Sequence, residues 1–175
     1  MKQAIIDKIR DNGIETDFNF DYLIDFLDKS DITFKDVKLK QTLGIATDDC
    51  VYLDVDNILK KMPNIGVYYV VLHEVAHNKR IKKFGGKKAV INYFSLDNFS
   101  DFSEHIINEE LIADRYACFV FRKMMGFDLP KYMTQQLDIK INQELYRENC
   151  KKSFGKINND EKKYDELLNS FMIDG

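Results

Sequence analysis

The chain has no tryptophan, two prolines, three cysteines and three histidines among its 175 residues. Each scarcity excludes something. Cys50, Cys118 and Cys150 are widely spaced and odd in number. No Cys-x-x-Cys pair exists, so a cysteine zinc site or a thioredoxin-like redox site is not expected, and reduced thiols in a cytoplasm fit best. Long hydrophobic runs are missing too. The purest, Val67 to Leu72, falls far short of the roughly 20 residues that span a bilayer. Met1 to Asp7 lacks the apolar stretch of a signal peptide. A net charge of −3 supplies no broad basic face, so direct nucleic-acid binding is not expected. What remains, 45% hydrophobic and 31% charged residues, suits one globular domain, or one with an extension, able to bury a core without staples.

Periodicity predicts a mainly helical chain with a short sheet. Ala4, Ile5, Ile6 and Ile9 mark a helix from Lys2 to Asp11, followed by Gly13. A second spans Phe20 to Lys29. The stretch from Val37 to Asp54 reads as two or three strands, marked by Val37-Lys38-Leu39 and Cys50-Val51-Tyr52-Leu53, with Asp48-Asp49 as turn chemistry between them. A short helix from Val55 to Met62 stops before Pro63. Asn64 is placed to cap a long helix from about Ile65 to Phe84, closed by Gly85-Gly86. Lys87 to Ser100 reads as an irregular connector. Asp101-Phe102-Ser103-Glu104 resembles a capping box, opening a helix that ends before Gly126. Pro130 suits the first turn of a helix reaching Cys150. Ser153 to Asp160 reads as a linker. Tyr164, Leu167, Leu168, Phe171 and Met172 form the stripe of a last helix.

Two of the three histidines lie in His73-Glu74-Val75-Ala76-His77. This is the H-E-x-x-H spacing, which puts both imidazoles on one helix face, about 6 Å apart along the axis. Neutral imidazoles leave a zinc ion electrophilic. Glu74, rotated one residue round, stays off the metal but beside a water that zinc acidifies, where a carboxylate can act as base. Coincidence is the plain alternative; a single histidine on an apolar helix face is usually a core residue.

A catalytic zinc ordinarily has a third protein ligand. Glu104, His105, Glu109, Glu110 and Asp114 are the nearby downstream choices. Glu110, Ala113, Asp114 and Ala117 share one face, and the two alanines permit close approach of the His73–His77 helix. Glu110 is thereby expected on the metal and Asp114 on the free ring nitrogen of a zinc histidine. Glu109 points about 100° away and reads as a solvent-facing carboxylate.

The stretches Val71 to His77 and Glu110-Leu111-Ile112-Ala113-Asp114-Arg115-Tyr116-Ala117 resemble the gluzincin pattern. Among gluzincins they are most similar to the ImmA/IrrE family of small metallopeptidases, over about residues 50 to 121. The resemblance implies His73, His77 and Glu110 as zinc ligands and Glu74 as the catalytic base. It also implies an intracellular enzyme acting on a regulatory or repressor protein. Asp114 stands where asparagine is common in that family.

The remaining features read as scaffold or recognition. Lys79, Arg80, Lys82, Lys83, Lys87 and Lys88 complement a helix C-terminus, with partner recruitment as the alternative. His105, Tyr93 and Tyr116 are oxyanion-donor candidates, each more simply a packing or surface residue. Phe94, Phe99 and Phe102 cover the core or line a cleft. The expected fold class is α+β: a small zincin-like domain, mainly helical, with a short sheet beside the H-E-x-x-H helix. The zincin-like domain is expected over 1–128, and a C-terminal helical extension packed on it over 129–175. The expected function is a cytoplasmic, zinc-dependent metalloendopeptidase with one catalytic Zn2+. Its protein or peptide substrate would lie along the sheet edge near Cys50 to Asp54, with no membrane partner. The alternative is a catalytically silent zinc-fold binding or regulatory protein.

Overall fold

A computed structural model describes residues 1–93, 99–135, 139, 142–155 and 157–173, with residues 93, 99–103 and 153 described through their backbone alone. Helix α1 spans Lys2–Thr16 and buries Ile5, Ile6 and Ile9. It passes through Gly13 rather than stopping there. A Cβ at Gly13 would lie 3.0 Å from the Phe18 carbonyl and 3.1 Å from the Phe20 ring, so this glycine permits a close approach. The helix ends at Asp17, whose φ of 56° is left-handed. Helix α2, Asp21–Lys29, buries Leu23 and Leu27.

Strands β1 (Phe34–Asp36), β2 (Gly44–Ala46) and β3 (Val51–Leu53) form one sheet in the order β1-β3-β2. β1 is parallel to β3, in register Phe34 to Val51, and β2 is antiparallel to it, in register Ile45 to Tyr52. The strand expected at Val37 to Leu39 instead lies at Phe34 to Asp36, where Phe34 is buried against the core. Leu39 makes an isolated antiparallel bridge to Met172. β2 is the third of the two or three strands expected between Val37 and Asp54, at a position that Gly44-Ile45-Ala46, with one β-branched residue, does not mark. Cys50 to Asp54, expected near the sheet edge, forms its central strand instead.

Helix α3, Val55–Lys61, is capped by Asp54, whose side chain accepts from the Asn57 amide. Helix α4, Asn64–Lys83, runs through the core and buries Val67 to His73 together with Val75, Ala76 and Asn78. Pro63, not Asn64, occupies its N-cap position. Gly85 and Gly86 stop it with φ of 108° and 78°, as the sequence implied. Helix α5, Lys87–Tyr93, occupies part of the presumed irregular connector, and α6, Phe99–Met125, starts before the predicted cap at Asp101. Ala113, Ala117 and Phe121 on α6 are fully buried, and the two alanines let α6 lie close against α4.

Pro130 opens a 3-10 turn at Lys131–Met133 rather than a long helix. Helix α7 spans Gln143–Phe154, so the predicted linker from Ser153 begins inside it. Helix α8, Glu161–Ser170, is capped by Asp160 and carries the buried Tyr164. α7 packs on α6 and α8 on α5. Past α8, the Lys40 amide donates to the Phe171 carbonyl at 2.7 Å, and the Ile173 amide to the Lys38 carbonyl at 2.9 Å. The molecule is mostly helical with a small sheet, an α+β arrangement. Among the described residues no helix is long and apolar enough to cross a membrane.

Candidate metal centre

α4 and α6 bring His73, His77 and Glu110 together. Each offers one ligand atom, and the three atoms lie within 4.8 Å of one another. His73 Nε2 is 3.0 Å from His77 Nε2 and 3.1 Å from Glu110 Oε2. His77 Nε2 is 3.2 Å from Glu110 Oε1. Convergence follows from helical spacing on both sides: His73 and His77 are one turn apart on α4, and Glu110 shares the inward face of α6 with Ala113 and Ala117.

The electrostatics fit a cation. Burial alone would disfavour protonation of either imidazole. It is outweighed at His73 by hydrogen bonds with Asp114 and Glu110, and at His77 by the charge of Glu110, so both pKa values are raised. Burial alone would raise the Glu110 pKa, but His77 and His73 hold it well below the usual carboxylate range. Two nitrogen lone pairs and a carboxylate aimed at one point need positive charge between them. Protons on the imidazoles would supply it, and a metal ion would supply it equally well. His73, His77 and Glu110 are therefore a group that could hold a metal ion.

A second layer orients the first. The Nδ1–H of His73 donates to Asp114 Oδ1 at 3.0 Å, which turns Nε2 towards the ligand point. The Tyr69 hydroxyl donates to the same oxygen at 2.6 Å and accepts from the Gln135 amide at 3.3 Å. Asp114 is 2% exposed, and its Oδ2 has no partner among the described residues. Tyr69 went unrecognised in the sequence, although it lies one turn before His73 on the same face and was in principle readable.

Glu74 packs against β2. A Cβ on Gly44 would sit 2.5 Å from Glu74 Cγ and 2.9 Å from Cδ, so only a glycine lets the strand backbone lie on this side chain. Burial raises the Glu74 pKa. Gly44 had no sequence signal, because its neighbour comes from an element thirty residues away.

The same residues form the floor of a cleft of about 400 Å³. Thr42 and Gly44 to Ala46 line one side, and α7 and α8 supply Tyr146, Phe154, Tyr164 and Leu168. Bonds from the Thr47 amide to the Cys50 carbonyl and from the Asp54 amide to the Leu43 carbonyl set the phase of the β2–β3 ladder. Alternation then leaves the backbone groups of Gly44 and Ala46 pointing away from β3, at the sheet edge. The Gly44 carbonyl accepts from Thr42 Oγ1 at 2.9 Å.

Other sequence candidates separate from the ligand group. Glu109 does not face solvent but accepts two hydrogen bonds from Arg80, at 2.9 and 2.7 Å. Glu104 pairs with Arg147 of α7. His105 lines the cleft with its ring edge-on to Phe84 at 5.6 Å, and burial lowers its pKa. Tyr116 lies under Lys79 and is not part of the cleft wall. Phe94 and the side chains of Tyr93, Phe99 and Phe102 fall outside the described residues. Within the basic cluster, Arg80 is taken up by Glu109 and Lys87 by Asp165 and Glu161. Comparison with protein-family models, curated proteins and solved structures returned no match.

Proposed function

We propose that the chain is a zinc-dependent metalloendopeptidase with a zincin-like core, related in kind to the ImmA/IrrE metallopeptidases that its two motifs resemble. One observation carries the reading: two imidazoles and a carboxylate converge at the floor of a cleft, beside a carboxylate that belongs to neither partner helix's ligand set. His73 and His77 would hold the ion through Nε2 and Glu110 through a carboxylate oxygen, a set that suits zinc. Bound there, zinc supplies Lewis acidity, which polarises a carbonyl and acidifies a water.

The protein's own groups divide the remaining work. Asp114 holds the His73 proton at Nδ1, with Tyr69 fixing the aspartate in turn. A carboxylate oxygen of Glu74 takes a proton from the attacking water and returns it to the departing amine. Its raised pKa makes it a stronger base than an ordinary carboxylate. The edge of β2 offers Ala46 backbone groups to an extended peptide, which would lie across the cleft by strand addition. The family resemblance extends the proposal to intracellular regulatory or repressor proteins as substrates.

The test is hydrolysis of a proteome-derived peptide library by the zinc-loaded protein and by Glu74→Gln. Turnover should fall about 10²–10⁴-fold in the variant with zinc retained. Equal cleavage by both proteins would remove Glu74 from the mechanism. No cleavage by either would favour a zinc-fold binding protein without turnover.

A further inference from the structure

We propose that Tyr146 is a catalytic residue of this cleft, its phenol donating a hydrogen bond to the scissile carbonyl oxygen as that oxygen gains negative charge. The assignment rests on the peptidase reading and adds the group which that reading leaves unnamed.

The cleft floor is rich in acceptors and poor in donors. Glu74 and Glu110 present carboxylates, and a carbonyl oxygen that becomes anionic between them needs a hydrogen-bond donor in addition to the metal. Several polar side chains line the walls. The Thr42 hydroxyl is given to the Gly44 carbonyl. Tyr69, close by on α4, has its hydroxyl committed to Asp114. His105 sits in the field of Glu109 and Arg80, and its ring lies against Phe84. Tyr146 differs on both counts. Its hydroxyl has no hydrogen-bond partner among the described residues, and the carboxylates whose charge acts on it are those of Glu110 and Asp114. Burial, and then the charge of Glu110, push its pKa up, so the phenol keeps its proton and remains a donor.

The helix beneath Tyr146 is anchored as a donor requires. One turn along α7, Cys150 is 5% exposed in a small apolar cluster with Ile91, Ile157 and Tyr164. Arg147, the next residue, is paired with Glu104 of α6, the helix that carries Glu110. Tyr146 packs against that cluster and lines the cleft that His73, Glu74, His77 and Glu110 also line, on a helix that contacts the one carrying Glu110. A donor held in this way needs no rearrangement as charge develops.

The experiment compares the zinc-loaded wild type with Tyr146→Phe, His105→Ala and Glu74→Gln on one peptide that the wild type cleaves. Tyr146→Phe keeps the ring and its packing and deletes the donor. The expected result is a fall of about 10²–10³-fold in kcat, with KM and zinc content unchanged. A peptide phosphonamidate, which mimics the tetrahedral state, should lose affinity by a similar factor, an effect that a packing role would not produce. Wild-type kcat in Tyr146→Phe, with Glu74→Gln inactive, would overturn the assignment and leave the peptidase reading standing. Loss in His105→Ala alone would move the role to His105. No hydrolysis by the wild type would overturn both the assignment and the reading beneath it.

Discussion

The α4–α6 pair and the α7–α8 pair face each other across one cleft, yet they are held by different forces. α4 and α6 meet through fully buried Ala113, Ala117 and Phe121 and through a continuous polar chain from Tyr69 to Asp114 to His73. α7 and α8 are fastened by a smaller apolar cluster of Ile91, Cys150, Ile157 and Tyr164, and by ion pairs at their margins. Arg147 pairs with Glu104, Lys87 with Asp165 at 2.6 Å, and the C-terminal segment adds a short bridge to Lys38 to Lys40. The first pair brings three ligand atoms within 4.8 Å of one another. The second rests on fewer buried side chains, and its ion pairs are worth only about 0–1 kcal/mol each. The floor therefore holds the candidate ligands, and the roof lines the cleft with Tyr146, Phe154, Tyr164 and Leu168.

That contrast can be broken at either end. The larger effect belongs to the floor. Asp114→Asn keeps the volume but weakens the hold on His73 and Tyr69. Zinc affinity, measured by competition with a chromophoric chelator, should fall about 10–100-fold. An unchanged affinity would mean that the buried chain does not orient the ligands.

The smaller effect belongs to the roof's far anchor. Asp54, fully buried, accepts from the Leu39 amide at 2.9 Å and from Asn57, and so fixes the segment to which the C-terminus is bridged. Asp54→Asn should cost about 1 kcal/mol. Acid should act in the same direction. Burial alone would raise the Asp54 pKa, but its bonds from Leu39 and Asn57 lower it below the ordinary 3.8. A depressed carboxyl contributes fully above that ordinary value, and the contribution is lost as pH falls through the lower folded-state value. Hydrogen exchange at the Lys40 and Ile173 amides should accelerate there before exchange in α4 does. Simultaneous acceleration would show the roof and the floor to be one cooperative unit.

The two regions also differ in how far they could be read beforehand. His73, Glu74, His77, Glu110 and Asp114 lie at helical spacings within two continuous segments, so a face argument alone places them together. The sequence likewise marked α4 with its Gly85-Gly86 stop, and the last helix through Tyr164, Leu167 and Leu168, although Phe171 and Met172 of the same stripe lie past its end at Ser170. α7 offered no such regularity. Tyr146 reaches the cleft because α7 packs on α6, not through any local spacing to the ligands. Gly44 matters because of Glu74, and the free edge of β2 because β3 takes the centre of the sheet. These are long-range facts that local propensity does not carry. The solvent-facing role expected for Glu109 failed for the same reason: Arg80, on the other helix, came within reach.

The central claim is that His73, His77 and Glu110 bind one metal ion. Its most direct measurement is the metal content of the purified protein after dialysis, by elemental analysis, with Glu110→Ala and His77→Ala alongside. The account predicts about one zinc ion per wild-type chain and loss of stoichiometric zinc in both variants. A wild-type protein without stoichiometric metal, or variants that hold zinc as the wild type does, would contradict it.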